Sequence, residues 1–474
     1  MSPPLLRVAD IALFERDVKL RLPFRFGVVT LTKSPQAFAR VRIELEDGRS
    51  GWGMAAELLA PKWFDKNLAL SNEDNYAQLR LALRLARDAY LGDTARRSAF
   101  GHFAAHYRPL IGAGARRELN PLVTGYGAAL LDRALLDALC RLLGVSFYDA
   151  VRANLPGIAP ATLLPEFGGF GMDAFLNALR PAASIAARHT VGLVDALTDA
   201  DAHEPVADGL PETLEQVVAA YGQRYFKLKV GGKVSEDIER LVTVAAVLDR
   251  IPEAYFVSLD GNEQYANVEG VAELWSGMLA EPRLRRLVAS ILFIEQPISR
   301  ARALEQDVSS LSRHKPMIID ESDADLDAFP RARALGYAGV SSKTCKGLYK
   351  SMINAARCAK WNAEQQTTRY FMSAEDLTLQ AGIALQQDLA LVNLLGIAHV
   401  ERNGHHYVNG MAGLPEAEQA AFLAAHSDLY ERSHGAVRVR IRGGRLDIAS
   451  LACRGYAAAA EPKWESMREM VVPH

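Results

Sequence analysis

Apolar and polar residues alternate along residues 37–45, Ala-Phe-Ala-Arg-Val-Arg-Ile-Glu-Leu, with the period of two that is typical of a half-buried strand. The turn Glu46-Asp47-Gly48 follows, and then Ser50-Gly51-Trp52-Gly53. This order predicts a small antiparallel sheet. Helical spacing comes next, over residues 73–97 and 128–143, and the second helix is predicted to end at Gly144. Residues 1–155 are therefore interpreted as one α+β region.

Short apolar segments alternate with stretches of helical period from about residue 186 to residue 435. Eight strand candidates are present, at residues 190–194, 225–229, 255–260, 291–295, 317–320, 339–343, 370–374 and 397–401. Strands that alternate with helices favour a parallel sheet. Eight such units in roughly 250 residues have the size of a TIM barrel. We therefore predict a (β/α)8 barrel over residues 186–435.

Two further segments flank the predicted barrel. Residues 156–185 are rich in proline and glycine, and they form either a lid or a simple connecting segment. Residues 436–474 return to a strand pattern that includes Gly443-Gly444. This last segment is too short for a domain, so we expect it to pack against the first region.

Charge and cysteine content exclude some classes of partner. The formal net charge is −2, so no basic field draws the chain to nucleic acid or to an anionic membrane. No apolar run reaches the roughly 18 residues that a membrane span needs. Four cysteines without a CxxC pair fit reduced thiols better than a disulfide scaffold, and they predict a cytoplasmic location.

Charged residues stand at the predicted carboxyl ends of five successive barrel strands. Each interval between them, from 23 to 35 residues, fits one strand–helix unit. In a barrel these positions share one rim and face the active site. Any one of these charged residues could lie in a surface loop without a function, but the ordered set favours an active site. The residues are Lys227, Lys229, Asp260, Glu295, Asp320 and Lys343.

The three carboxylates in this set predict a metal site. Neighbouring carboxylates repel one another, and oxygen ligands at an open site favour Mg²⁺ over zinc or copper. Bound Mg²⁺ would act as a Lewis acid on a substrate carboxylate. Negative charge that develops when the α-proton leaves would collect on the oxygens beside the cation.

The two lysines on the second strand predict a general base. Residues i and i+2 of a strand share a face, about 7 Å apart. At an effective dielectric of ~20, two ammonium groups at that distance repel by about 2.4 kcal/mol. Lys227 is therefore expected to lower the pKa of Lys229, so that Lys229 can accept a proton near neutral pH. Lys343 would approach the substrate from the other side.

These residues resemble the enolase superfamily and, within it, the mandelate racemase/muconate lactonizing subgroup. That subgroup carries Lys-x-Lys on the second barrel strand, then Asp, Glu and Asp on the next three strands, and Lys on the sixth. The resemblance implies that Asp260, Glu295 and Asp320 bind Mg²⁺. It also implies that Lys229 and Lys343 are acid/base groups on opposite faces of the substrate.

The likeness extends beyond the barrel. The segments Arg21-Leu22-Pro23-Phe24-Arg25-Phe26-Gly27 and Ser50-Gly51-Trp52-Gly53 are similar to the first hairpin and the substrate-covering loops of the superfamily's capping domain. The implied fold is α/β, a modified enolase-like (β/α)8 barrel with an N-terminal α+β capping domain that the C-terminal segment completes. The implied divisions are 1–155 for the cap, 156–185 for the connection or lid, 186–435 for the barrel and 436–474 for the returning segment.

The chain departs from the subgroup at two places. The sixth-strand lysine is followed by Thr344-Cys345-Lys346-Gly347 rather than by two glycines, so Lys346 competes with Lys343 for the same role. The eighth strand ends His399-Val400-Glu401-Arg402-Asn403 and lacks the Asp-x-Asp of dipeptide epimerases, which counts against a dipeptide substrate. The predicted substrate contacts are Phe24, Asn262, Lys346, Glu375 and Glu401.

Two groups of histidines could belong to a site. His102 and His106 have a helical spacing that can bind zinc, but no third ligand is evident near them in the sequence, which favours a plain helix face. His405 and His406 follow the eighth strand, and they either border the pocket or form a loop without catalytic duty.

Three functions are consistent with these residues. The first is an isomerase, a racemase, epimerase or cycloisomerase, that removes and returns a proton beside the carboxylate of a small molecule. The second is a lyase, an acid dehydratase that expels a β-hydroxyl after the same proton abstraction. The third is a non-catalytic binding protein on the same fold. The resemblance also implies a homo-oligomer, as dimers or larger even assemblies.

Overall fold

The capping sheet is antiparallel, as the sequence predicts. The structure, a computed structural model, describes residues 2–26, 29–202, 205–375, 377 and 380–471, so Gly27 of the predicted hairpin motif lies outside the described residues. The sheet contains β1 (Leu6–Phe26), β2 (Val29–Leu45) and β3 (Ser50–Leu58) in sequential order. Its alternation places Val41, Ile43 and Leu45 in the core.

Helices cover this sheet, and their ends follow local capping rules. They are α1 (Asn72–Gly92), α2 (Ala99–Ala115), α3 (Pro121–Leu143), α4 (Phe147–Arg152) and α5 (Met172–Ala178). Asn120 caps α3 through the backbone N–H of Val123, and Gly144 ends it with a φ of 71°. The prediction of a start at residue 128 was wrong, because the cap and Pro121 begin the helix earlier than its glycines suggest.

The barrel contains eight parallel strands, and all but the first lie close to the predicted places along the chain. They are β4 (Ser184–Val191), β5 (Tyr225–Lys229), β6 (Phe256–Asp260), β7 (Ile291–Glu295), β8 (Met317–Ile319), β9 (Gly339–Ser342), β10 (Phe371–Ala374) and β11 (His399–Glu401). They pair in the order β10-β9-β8-β7-β6-β5-β4-β11. A parallel bridge between Glu375 and Glu401 joins the two edge strands and closes the barrel.

Helices follow or separate these strands around the outside. They are α6 (Leu214–Tyr221), α7 (Val234–Leu248), α8 (Val268–Ala280), α9 (Arg285–Ser290), α10 (Arg300–Ala303), α11 (Ser309–Ser312), α12 (Ala328–Ala334), α13 (Leu348–Gln365), α14 (Ile383–Leu394), α15 (Gly404–Tyr407) and α16 (Glu416–Ala425). Short 3-10 turns lie at Pro160–Thr162, Pro165–Phe167, Asp199–Asp201, Pro282–Leu284, Thr344–Lys346, Ala449–Ala452 and Trp464–Ser466. Within the described ranges, no helix is both long and apolar enough to cross a membrane.

The first barrel strand differs from the prediction. It begins at Ser184 and ends at Val191, whereas the sequence predicted residues 190–194. Arg188 made this strand hard to recognise in the sequence, because an arginine within a short apolar run usually lies at the protein surface. Here the Arg188 side chain is fully buried and donates hydrogen bonds to Ser373 Oγ (3.1 Å) and to the Ala374 carbonyl (2.8 Å).

The C-terminal segment touches both parts of the molecule. β12 (Tyr430–Ser433) and β13 (Ala436–Val439) form a hairpin, so the boundary predicted between residues 435 and 436 falls inside it. β14 (Arg445–Asp447) pairs with β4 of the barrel, and β15 (Arg468–Glu469) pairs with β1 of the cap. The four cysteines are free thiols.

One glycine fixes how closely the capping sheet approaches α3. A Cβ on Gly53 would lie 2.1 Å from the Ala138 nitrogen and 2.2 Å from the Ala134 carbonyl oxygen. We predict that Gly53→Ala lowers the free energy of unfolding by about 1–3 kcal/mol or more, because backbone must move. Gly92→Ala is the control, since nothing lies within 4 Å of a Cβ there. Equal thermal midpoints for the two variants would contradict this packing.

Candidate active site

The carboxyl ends of the barrel strands bring the predicted charged residues together. Lys227 and Lys229 lie on β5, Asp260 ends β6 and Glu295 ends β7. Asp320 follows β8 and Lys343 follows β9. All of these side chains are buried, which is unusual for so many charges and requires that they compensate one another.

Three carboxylates are close enough to share one metal ion. Asp260, Glu295 and Glu375 each offer an oxygen, and these oxygens lie within 4.8 Å of one another. Neither oxygen of Glu295 accepts a hydrogen bond from the described residues. A buried group of oxygen ligands, here ion-paired with Lys227, fits a hard cation such as Mg²⁺.

This group shares Asp260 and Glu295 with the predicted trio and has Glu375 as its third member, while Asp320 stays the third ligand that the sequence predicts. Asp320 Oδ2 lies 3.1 Å from Lys343 Nζ, and its Oδ1 lies 3.1 Å from Lys346 Nζ. Two ammonium groups thus hold Asp320 toward the sixth strand. Its backbone N–H donates to Gln296 Oε1 (2.8 Å), which fixes the position of the residue.

Lys227 lies at the centre of the carboxylates. Its Nζ is 2.9 Å from Asp260 Oδ2, 3.1 Å from Glu295 Oε2 and 2.8 Å from Glu401 Oε2, and it also contacts Glu375. Burial opposes the charged form, but Asp260, Glu295 and Glu401 outweigh it and raise the pKa of Lys227 well above its ordinary value. Lys229 also contacts Asp260, so a carboxylate lies between the two ammonium groups and offsets the repulsion that the sequence predicts.

The pKa values of two carboxyl groups are shifted in opposite directions. Burial acts to raise the pKa of Asp260, but the ammonium groups of Lys227 and Lys229 lower it below its ordinary value. The pKa of Glu295 is raised by burial and by the nearby charges of Asp260 and Asp320, despite the opposing effect of Lys227. An added positive charge would therefore favour the ionised form of Glu295.

Backbone of unusual conformation shapes the rim. Asn262, Glu263 and Gln296 have φ values of 40°, 69° and 33°, a region that favours glycine. Strained backbone of this kind persists where surrounding hydrogen bonds hold it in place. Gln296 Nε2 donates to Ser322 Oγ (2.8 Å), and Asn262 Nδ2 donates to Glu321 Oε1 (3.1 Å).

A cavity lies above these charges, with about 490 Å³ of space between the lining atoms when its open mouth is included. Lys229 and Lys343 both line it, as do four of the five predicted substrate contacts, Phe24, Asn262, Glu375 and Glu401. Lys346 does not. Its Nζ donates to the Ser341 carbonyl (2.5 Å) and contacts Asp320, so it lies behind Lys343 rather than facing the cavity. The position of Lys346 therefore disfavours it as a substrate contact and as a competitor of Lys343.

The cap supplies apolar walls that the sequence did not identify. They come from Leu31, Leu58, Ala60 and Trp63, and Leu377 and Asn403 complete the lining. Lys343 Nζ lies 4.8 Å from the centre of the Trp63 ring, a cation–π contact. The mostly apolar stretch just after β3, from Leu59 to Phe64, was the available signal, because apolar side chains outside a regular element require a partner.

A buried polar network ties the Lys343 loop to the cap. Thr344 Oγ1 lies 3.1 Å from Glu57 Oε2 on β3 and 3.3 Å from Asp388 Oδ1 on α14. Arg133 of α3 pairs with Glu57 at 2.9 Å, and Arg402 pairs with Asp388 at 3.0 Å. The residue after the predicted acid/base lysine is thus held by both domains.

Two other predicted features lie away from the cavity lining. His405 and His406 are buried in α15, and His189 Nδ1 lies 3.3 Å from His405 Nε2. Among the described residues of 156–185, which include α5, none lines this cavity; Phe167, Met172 and Leu176 pack into the core of the cap instead. That packing favours a connecting segment over a lid.

Known proteins share this arrangement of strands and helices. The family described as Enolase C-terminal domain-like matches residues 209–445. No curated protein sequence matches the chain. Many solved structures do, at identities low enough that they show the fold alone.

Three of these structures illustrate the likeness. Muconate lactonizing enzyme from Pseudomonas fluorescens is 16% identical, with a TM-score of 0.58 and 97% of each chain covered. A mandelate racemase/muconate lactonizing protein from Herpetosiphon aurantiacus is 14% identical, with a TM-score of 0.58 and 96% of this chain and 99% of that one covered. A dipeptide epimerase from Cytophaga hutchinsonii, complexed with Mg and D-Ala-L-Val, is 14% identical, with a TM-score of 0.57 and 98% and 100% covered.

The cluster of Asp260, Glu295 and Glu375 predicts which residues hold Mg²⁺. Glu295→Gln removes one charge at constant size, and we expect it to weaken Mg²⁺ binding at least about tenfold in isothermal titration calorimetry. Glu269→Gln, on the exposed side of α8, is the matched control. The geometry further predicts that Glu375→Gln weakens binding more than Asp320→Asn does. The reverse order would support the ligand trio predicted from the sequence, and unchanged binding by Glu295→Gln would exclude the site.

Proposed function

The chain belongs to the enolase superfamily, in its mandelate racemase/muconate lactonizing-like group, and we propose that it removes a proton from the carbon beside a carboxylate. The favoured outcome is racemisation, epimerisation or cycloisomerisation of a small carboxylic acid. One observation carries this proposal: Lys229 and Lys343 line the same cavity from strands β5 and β9. These strands are four apart in a barrel of eight, so they approach the cavity from opposite sides.

The chain's own residues account for the proton transfers. Lys229, in its neutral form, accepts the α-proton on Nζ, and the electron pair of the broken C–H bond moves toward the substrate carboxylate. Lys343 donates a proton to the opposite face of the same carbon, which inverts its configuration. Used in the reverse direction, the two lysines exchange these duties. The Trp63 ring over Lys343 Nζ limits water on that side.

Mg²⁺ is the proposed cofactor. Asp260, Glu295 and Glu375 fit it, with Asp320 as the alternative third ligand, and the dipeptide epimerase structures with Mg support the choice of metal. When bound, it would withdraw charge from the substrate carboxylate and stabilise the negative charge that proton loss creates. Lys227 would then neutralise part of the negative charge of the carboxylates that the metal does not bind.

The walls of the cavity indicate the rest of the substrate. Phe24, Leu31, Leu58 and Trp63 form an apolar surface opposite the charged floor. A carboxylic acid with an apolar group beside its reacting carbon would match both the apolar walls and the charged floor. A free dipeptide fits less well, since the eighth strand carries one carboxylate, Glu401, where dipeptide epimerases carry Asp-x-Asp.

Three further properties are proposed on the resemblance and composition alone. They are a small-molecule carboxylate as the sole class of partner, assembly into dimers or larger even oligomers, and a cytoplasmic location. The four free thiols are consistent with the last of these.

Lys229 is predicted to be required for proton exchange. Lys229→Ala should lose roughly 10²–10⁴-fold of the rate at which candidate acids exchange their α-proton in D₂O with Mg²⁺, followed by NMR. Lys233→Ala is the matched control, because its side chain is 72% exposed and lies just beyond the strand. Normal Mg²⁺ binding by Lys229→Ala would confirm that the metal site is intact.

The same experiment separates the candidate reactions. Exchange without loss of water indicates an isomerase, whereas formation of a keto acid indicates β-elimination by a dehydratase. Retained exchange in Lys229→Ala would refute the role assigned to this lysine. Absence of exchange by the wild-type chain on any of the sugar acids, amino-acid derivatives and muconate-like acids would favour a non-catalytic binding protein.

Thr344 is predicted to position Lys343. Thr344→Val keeps the shape of the side chain but leaves Glu57 and Asp388 without its hydroxyl. We expect kcat to fall about tenfold with little change in KM, and the free energy of unfolding to fall by about 1–3 kcal/mol. Thr243→Val, on the exposed side of α7, should change neither. A variant that loses stability but keeps the wild-type kcat would show that the network is only structural.

A further inference from the structure

A second group of metal-ligating side chains lies in the cap, outside the cavity. Asp93 follows α1, and His102 and His106 lie one turn apart on α2. Each residue offers one ligand atom, and these atoms lie within 4.8 Å of one another. The sequence showed no third ligand near the two histidines. The structure provides it, because the connection between the helices returns Asp93 to the face of α2 that carries them.

His102 presents an unused nitrogen to this group. Its Nε2 lies 3.0 Å from the Leu6 carbonyl oxygen, which can only accept, so Nε2 carries the hydrogen. In the neutral ring Nδ1 then carries a lone pair, and it has no hydrogen-bond partner among the described residues, although His102 is fully buried. A ring that donates one N–H to a carbonyl and turns its other nitrogen to a cation is the usual arrangement of a metal-bound histidine.

The other two ligands are already oriented. His106 Nε2 lies 3.1 Å from Asp93 Oδ2. Asp93 Oδ1 accepts from the Ala95 N–H at 3.0 Å, and Arg97 Nε donates to Oδ2 at 2.8 Å.

We propose that Asp93, His102 and His106 bind one Zn²⁺ ion that fastens the start of α2 to the end of α1. Two imidazoles and one carboxylate are a common zinc ligand set. Zinc needs ligand atoms about 2.0–2.2 Å from the metal, so the three side chains would rotate to close around the ion. The three residues do not line the active-site cavity, so the ion stabilises the cap rather than taking part in the reaction.

Three protein ligands leave the fourth zinc position to water, and neighbouring side chains shield part of the group. The Tyr90 ring packs against His106 with centroids 4.8 Å apart, and its hydroxyl donates to Asp132 at 2.6 Å, so it covers the group without competing for the metal. Arg97 is the one cation that contacts Asp93 among the described residues, besides His106 when that ring is protonated. The Arg97 side chain is 38% exposed and can turn to solvent when the metal binds.

The test is metal analysis of the full-length chain in excess Mg²⁺, which occupies the oxygen site. Protein stripped with a chelator is dialysed against Zn²⁺ and Mg²⁺, and the retained zinc is measured by mass spectrometry and X-ray absorption. We expect one Zn²⁺ per chain with imidazole nitrogen among its ligands. His106→Gln and Asp93→Asn, whose side chains are partly exposed, should bind at least tenfold more weakly, and exposed His314→Gln should bind as the wild type does.

Several results would overturn the proposal. They are no zinc retained by the wild type, zinc with oxygen ligands alone, and equal zinc binding by His106→Gln and His314→Gln. A folded His106→Gln, verified by its circular dichroism, keeps the comparison valid. The outcome is independent of the proposed reaction, because the test follows only zinc with nitrogen ligands, which the all-oxygen site cannot supply.

Discussion

Mutual compensation of buried carboxylate and ammonium groups holds the centre of this molecule together. A single charge without a partner costs several kcal/mol in such an environment, so each group depends on its neighbours. Lys227 is the most connected of them, because its ammonium group contacts four carboxylates at once. This dependence explains why so many charges remain at one place. The groups are Lys227, Lys229, Lys343, Lys346, Asp260, Glu295, Asp320, Glu375 and Glu401.

The cap and the barrel contribute different parts of the site. The barrel supplies the charged floor, while the cap supplies the apolar walls and fixes one lysine in place through Thr344 and Glu57. Arg300 of the barrel donates to the backbone carbonyls of Trp63 and Phe64 at 2.8 and 3.0 Å, which holds the wall-forming segment of the cap against the rim. A change of substrate can therefore arise in the cap while the chemistry of the floor is conserved.

Local patterns predicted the fold well, because strand ends and helix caps depend on residues close in sequence. The strands β5 and β7 end where the sequence predicted, and the bounds of β4 were missed because of one buried arginine. The site was harder to predict. Trp63 and Glu57 reach it through contacts with Lys343 and Thr344, which are far away in the sequence, and no local pattern shows such contacts. The choice between Asp320 and Glu375 depends on side-chain direction, which strand spacing does not determine.

The most direct test of the account is the position of a divalent ion in a crystal of the protein grown with Mn²⁺ in place of Mg²⁺. The account predicts an anomalous peak roughly 2.0–2.3 Å from carboxylate oxygens of both Asp260 and Glu295, with Lys229 and Lys343 on opposite sides of it. A fully loaded crystal with no peak between these two carboxylates, and with Lys227 alone bridging them, would contradict it.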